Sequence, residues 1–238
     1  TDLFMYIIGP VTLIYIIYEM AKLDKAQIKK MVAAIIFILL SIIFWSFFEQ
    51  SGGSLSLFAR DLVSSKMLGI KIDSNVVNNS ANSFFVICFS ALIGMMWVWL
   101  NKRKLEPNYF AKFGLAFLFL SLSFYLFYAM RFWLDSDGLA SLGLFTLAYL
   151  VISIGELFLS PIGLSLMTKL SPKHLWGIMM GMWFLASAYG QYVAGILGAG
   201  MSNPDEKAPL NVRLEGYTNG YLQLSIYALI TGVVIILV

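Results

Sequence analysis

Cysteine and histidine are almost missing from this chain, which carries one of each, Cys88 and His174, in 238 residues. A lone cysteine excludes a disulfide framework within the chain, and a lone histidine excludes a multi-histidine metal centre. Cys88 lies in an apolar run and His174 beside Lys173 in a connecting segment, so neither reads as functional. Charge is scarce too, at 12% of residues against about a quarter in a soluble domain. No serine, histidine and acid set, phosphate-cradling glycine loop or metal-ligand spacing is visible. No enzyme activity, metal or cofactor is therefore expected. The net charge of +3 sits in short segments beside apolar runs, where membrane topology accounts for it, so nucleic-acid binding is not expected either.

What the chain has is apolar length: 60% of residues are hydrophobic and mean hydropathy is +0.82. It reads as an all-α polytopic membrane protein. Seven apolar segments can be drawn, at 3–18, 31–48 with an extension, 81–100, 113–130, 139–168, 175–201 and 217–238, each of roughly bilayer length. All seven are expected to be helices, because backbone groups in lipid must be satisfied within the segment and no barrel-like alternation is present. The mixed-charge stretch at 21–30 reads as a cytoplasmic linker that separates residues 1–20 from the six segments in 31–238. The stretches 73–82 and 203–216 read as external loops, and 51–54 as a flexible polar patch. The chain opens on Thr1 and stops at Val238 inside an apolar run, so a fragment of a larger membrane protein is expected.

Loop charge gives one self-consistent orientation. Lys22, Lys25, Lys29, Lys30, Lys102, Arg103, Lys104, Lys112, Lys169 and Lys173 fall on one side, which is expected to be cytoplasmic, and Arg60, Lys66, Lys71, Arg131, Lys207 and Arg213 on the other. Glu49 and Glu156 are then the membrane-depth acids, with no base at their level. Glu156 is the only charged side chain between Leu139 and Thr168, and lies roughly 20 Å by helical rise from Lys169. A carboxylate at that depth costs at least about 2.5 kcal/mol and normally marks a substrate or proton path. The alternative is a protonated carboxyl that only ties two helices together.

Glu49 follows Trp45 by one helical turn and precedes Gln50, and position alone also allows an outer-interface residue. Asn78, Asn79 and Asn82 cluster ahead of an apolar run. Asn82 offers a donor and an acceptor suited to an ammonium or a peptide amide, while caps and turns are the plainer reading. Trp183, Ser187 and Gln191 follow at steps of four on one face that could line a cavity, among Gly177, Gly181, Gly190 and Gly195, which read as packing glycines.

Phe44-Trp45-Ser46-Phe47-Phe48-Glu49-Gln50, Asn82 opening an aromatic helix, Gly155-Glu156-Leu157-Phe158-Leu159-Ser160-Pro161-Ile162-Gly163-Leu164-Ser165, and Gly181-Met182-Trp183-Phe184-Leu185 with Ala194-Gly195 resemble one known family. It is the proton-dependent oligopeptide transporter family of the major facilitator superfamily. The resemblance implies the C-terminal six-helix bundle, helices seven to twelve, at 31–238, and an inserted helix at 1–20. It implies proton-coupled symport of di- and tripeptides by alternating access across the inner, plasma membrane, with a second six-helix bundle as partner and the lipid bilayer around both. By the same resemblance Glu49 couples protons, Glu156 and Asn82 meet the peptide's amino terminus, and Trp45, Trp183 and Ser187 line the pocket. Ser83 stands where the family usually has proline, Ser90-Ala91 replaces a second proline site, and Gln191 replaces an asparagine, which bears on substrate range. A carrier of another small solute, such as nitrate or an amino acid, and a non-transporting receptor or structural module are the alternatives.

Overall fold

The computed structural model describes residues 2–67, 69–201 and 208–237, and it is almost wholly helical. Eight α-helices follow one another: α1 (Asp2–Met20), α2 (Lys25–Phe48), α3 (Ser54–Leu62), α4 (Ser74–Lys102), α5 (Tyr109–Ala129), α6 (Leu142–Leu170), α7 (Trp176–Met201) and α8 (Leu210–Leu237). Their starts are legible in polar caps. Asp24 accepts from the Gln27 amide at 2.7 Å, Asp73 from Asn75 at 2.8 Å and Asn108 from Ala111 at 2.7 Å.

Several expected boundaries move. Residues 25–30 are the first turns of α2, so the non-helical part of the linker is residues 21–24. Residues 74–82 are helix and not loop, because Asp73 caps α4 and the asparagines fall inside it. Residues 210–216 likewise open α8; of the loop expected at 203–216, residues 203–207 lie outside the described residues, as does Val238. A two-residue hairpin, Lys66–Met67 against Ile70–Lys71, follows α3, with Gly69 supplying the positive φ of its turn.

Among the described residues six helical segments are long and apolar enough to cross a membrane, α2 and α3 counting as one continuous stretch. α7 falls short of that apolarity despite its 26 residues, because glycine, tryptophan, tyrosine, serine and glutamine occupy much of its length, although it carries no charge.

α5 is the central helix. It buries Phe113, Phe117, Phe124 and Phe127 completely and packs between α6 and α8. Against α8 the backbones come close: a side chain on Gly114 would meet the Gly232 carbonyl at 2.9 Å, and one on Gly232 would meet the Gly114 carbonyl at 3.0 Å. Two turns along, the Ser121 hydroxyl donates to the Ser225 carbonyl (2.8 Å) and the Ser225 hydroxyl to the Ser121 carbonyl (2.9 Å). Small residues and reciprocal hydroxyl bonds are how helices associate where water supplies no hydrophobic drive.

The lysine-bearing connections share one end of the bundle. Lys169 donates to the Tyr109 hydroxyl at 2.8 Å, and Glu19 reaches His174 at 3.9 Å. Lys112 belongs there too, but it is a buried base, not a loop charge. It is 4% exposed, lies 4.3 Å over the Trp97 ring and is ion-paired with Glu106. That ammonium, with help from Asn101, holds the Glu106 carboxyl below its ordinary range. At the opposite end Arg213 pairs with Asp61, Arg131 with Glu215 at 2.9 Å, and the Leu139 amide donates to Asp135, keeping that carboxyl low.

α1 stands apart, packing on α2 and α7 and reaching His174 through Glu19. Its Gly9 amide donates to the Tyr189 hydroxyl of α7 at 3.1 Å, while that hydroxyl donates to the Met5 carbonyl. A Cβ on Gly9 would occupy the space of the phenol.

Candidate functional site

The site is built where α2 breaks. The helix ends at Phe48, turns through a 3₁₀ segment from Glu49 to Gly52, and restarts as α3 at Ser54. Gln50 holds this break in place and is fully buried. Its amide donates to the Ala194 carbonyl of α7 at 3.1 Å and accepts from the Ser54 hydroxyl at 2.7 Å. The segment 51–54 is therefore part of a bonded hinge and not a flexible patch, since both ends of the Gln50 amide are satisfied inside the protein. Close approach of α7 is permitted by Gly190, whose added side chain would overlap Trp45, and by Gly198 next to Gln50 and Ser54. Gly177, Gly181 and Gly195 face open space, so of the four glycines read as packing only Gly190 packs; helical spacing turns the other three away from α2.

Opposite the break stand α4 and α6, joined by polar side chains. α4 buries only Ser74, Asn78 and Ala81, and turns most of its apolar residues outward. Ser74 donates to the Ala59 carbonyl at 2.6 Å. Asn78 donates to the Ser51 carbonyl at 3.0 Å and accepts from the Tyr149 hydroxyl at 2.5 Å. Asn82 donates to Glu156 Oε2 at 2.8 Å and to Ser153 Oγ at 3.1 Å, and Ser153 donates on to the Tyr149 carbonyl at 2.7 Å. Residues 74, 78 and 82 of α4, and 149, 153 and 156 of α6, are each one turn apart on one face.

Glu156 is half-buried, and its neighbours explain the apolar motif around it. Gly155 turns to α5, where an added side chain would meet the Ala116 carbonyl at 3.0 Å. Gly163 lies under the ring of Trp183, and Glu156 itself faces Asn82. α5 and α7 are thus brought to one stretch of α6 by the absence of two side chains, and α4 by the carboxylate between them.

Glu49, also half-buried, lines a cavity of about 210 Å³ with Ser51, Asn78, Asn79, Asn82 and Tyr149. On its other side a cleft is formed by Glu49, Gly52, Gly53, Gln191 and Gly195, and Gln191 Nε2 donates to Glu49 Oε1 at 3.3 Å. Among the described residues neither Glu49 nor Glu156 has an ion-pair partner.

Of the six expected site residues, the structure brings Glu156, Asn82 and Glu49 to one corner. Trp45 stands one helical turn before Glu49, whose amide donates to the Trp45 carbonyl, and neither Trp183 nor Ser187 lines the cavities at that corner. Trp45 packs edge-on to Phe44 and Phe48 (ring centres 5.6 and 5.1 Å) and against Gly190. Trp183, 6% exposed, packs on Gly163 and edge-on to Phe113 at 6.2 Å, so in this chain it is a core residue. The Ser187 hydroxyl bonds its own helix at the Phe184 carbonyl, 2.8 Å away, and Gln191 is exposed; the face runs from core to open surface over two turns. Tyr149, Ser153 and the burial of Asn78 were missed. Their signal is present in the sequence, since Tyr149 and Ser153 are polar residues on the Glu156 face of an otherwise apolar helix.

The model of the POT family matches residues 4–215. The chain belongs to the POT family. Among relatives, this POT chain is 33% identical over 201 residues to peptide transporter YePEPT of Yersinia enterocolitica, covering 83% of the chain and 39% of that protein. It is 32% identical over 237 residues to dipeptide and tripeptide permease B of Aeromonas hydrophila, covering 95% and 46%. Its fold matches a crystal structure of peptide transporter POT in complex with sulfate, with a TM-score of 0.80 and 26% identity, over 99% of this chain and 46% of that one. The chain spans about half the length of the curated relatives it matches.

Proposed function

We propose that this POT chain is the C-terminal half of a proton-coupled symporter of di- and tripeptides that works by alternating access. The observation that carries the reading is the Asn82–Glu156 pair. A half-buried carboxylate without a cation is held by an amide that spends its N–H groups on Glu156 and Ser153 and keeps its carbonyl oxygen as an acceptor. Such a pair suits a peptide ammonium, and the names of the relatives support a peptide cargo. Glu49, at the break of α2, is the proton-coupling carboxylate, and its cation comes from the other six-helix bundle. Ser187, Trp45 and Trp183 complete the pocket once that bundle closes over α7. The bilayer surrounds the apolar spans, and the lysine-rich end faces the cytoplasm at the inner membrane. The chain's chemistry is binding and proton transfer, with no covalent step.

The deciding experiment uses the full-length protein in vesicles. A pH gradient is expected to drive dipeptide accumulation, and Glu49→Gln is expected to abolish it while leaving dipeptide counterflow largely intact. Loss of both in Glu49→Gln assigns Glu49 to binding. Uptake of nitrate or an amino acid in place of dipeptide, or no uptake of any solute, overturns the peptide reading.

A further inference from the structure

The two carboxylates of the site lie on different elements, Glu49 on the break of α2 and Glu156 on α6, and one side chain bonds both elements. Asn78 is 2% exposed and has its amide engaged at both ends. Its Nδ2 donates to the carbonyl of Ser51, two residues from Glu49 within the same 3₁₀ turn, at 3.0 Å. Its Oδ1 accepts from the hydroxyl of Tyr149, itself 2% exposed, at 2.5 Å. Tyr149 lies on the Glu156 face of α6, and its backbone carbonyl receives the Ser153 hydroxyl that in turn accepts from Asn82. The connection from the proton-coupling turn to the ammonium-binding carboxylate is therefore continuous: Ser51, Asn78, Tyr149, Ser153, Asn82, Glu156.

The geometry points to Asn78 as a positioning residue that couples protonation at Glu49 to ligand affinity at Glu156. This rests on the transport reading above. The Ser51 carbonyl is fixed to the turn that carries Glu49, so any rearrangement of that turn on protonation stretches or releases the Asn78 bond. An amide with one end on Ser51 and the other on Tyr149 cannot follow one without straining the other, because the Tyr149 bond is buried and the Ser51 bond part-buried, and a released polar group there is costly. Glu156 is the other titratable acid near Glu49, and the two charges also act on each other directly, so the amide route is the share of the coupling that Asn78→Ala removes. The described residues lining the two cavities on Glu49 contribute one phenol, Tyr149 of α6, and otherwise amides and hydroxyls: Asn78, Asn79 and Asn82 of α4 and Gln191 of α7. α3 adds the Ser54 hydroxyl, already committed to Gln50.

The test measures dipeptide affinity of the purified full-length protein across a pH series. Coupling between two sites is ordinarily a factor of about 5 to 150 in affinity. In wild type the dipeptide affinity is expected to change by a factor in that range across the titration of Glu49. In Asn78→Ala the change is expected to shrink toward onefold, and in Tyr149→Phe, which keeps the Asn78 bond to Ser51, to shrink partway. Tyr149→Phe also serves if Asn78→Ala fails to fold. Affinity that falls by the same factor at every pH in both variants, with the wild-type pH dependence retained, makes Asn78 purely structural and overturns the coupling role alone. A wild type that binds no dipeptide, or binds it without pH dependence, overturns the transport reading and this inference with it.

Discussion

The α5–α8 pair is antiparallel and the α4–α6 pair is parallel, and the two contacts are held by opposite means. α5 and α8 bring their backbones together at Gly114 and Gly232 and seal the contact with two reciprocal serine bonds. α4 meets α6 through amides, a phenol, a hydroxyl and a carboxylate, and hides few apolar side chains in doing so. Close backbone packing has one good arrangement, because any slide brings main-chain atoms into collision. Long polar side chains can exchange partners and keep bonded over a small shift. The first pair therefore behaves as the fixed frame, and the second as the part in which a ligand or a proton can change the balance.

The largest expected effect breaks the frame. Gly114→Val drives a branched side chain into the Gly232 carbonyl and Ile236, and overpacking of this kind costs about 1–3 kcal/mol. In the full-length protein the Tm is expected to fall by about 5–10 °C, with dipeptide affinity retained in the folded fraction. A variant as stable as wild type would show that the two helices are free to separate there.

Next comes the adjustable pair. Glu156→Gln keeps size and removes charge, and the lost bond to an ammonium is worth about 1.5–3 kcal/mol. Affinity for a dipeptide is expected to fall by roughly tenfold to a hundredfold, with little change in Tm. An N-acetylated dipeptide should bind weakly to wild type and be little affected by the substitution. Equal losses for the free and acetylated peptides would assign Glu156 to helix pairing. The smallest effect sharpens the comparison from the other side. Ser225→Ala removes one of the two reciprocal bonds, and interhelical hydrogen bonds in membranes average about 0.6 kcal/mol. A Tm shift under about 2 °C is expected, and a larger one would mean that the serines, and not the glycines, fix the frame.

The sequence was a good guide to how many long helices exist and to which acid stands alone. It was a poor guide to which faces are buried. Glu156 was legible because no other charge lies near it, and Asn82 through the resemblance of its surroundings. The stretch 73–82 was misread because runs of asparagine and serine ordinarily face water, whereas here Ser74 and Asn78 belong to the buried stripe of α4 and the others share its helix. The burial of Trp183 was not legible for a related reason. A step of four identifies a shared face but not which end of that face is covered, and Gly163 covers this end by having no side chain. Lys112 was counted with the loop charges, since neither the ring of Trp97 nor the turn bringing Glu106 back to it can be read from spacing.

The inverted burial of α4 has a consequence for how the protein is made. A helix whose outward surface is apolar satisfies the bilayer before any neighbour arrives, so α4 can leave the insertion machinery as a span in its own right. Ser74 and the Asn78 N–H find partners on the preceding segment, but Asn82 and the Asn78 carbonyl then wait in hydrocarbon, each at a cost, until α6 emerges later in synthesis with Tyr149, Ser153 and Glu156. Docking of α6 releases that cost in one step, which makes the pairing of these two helices a late and sequence-selective event in assembly. The residues that arrange the candidate site are thus the same ones that tell α4 which helix to wait for.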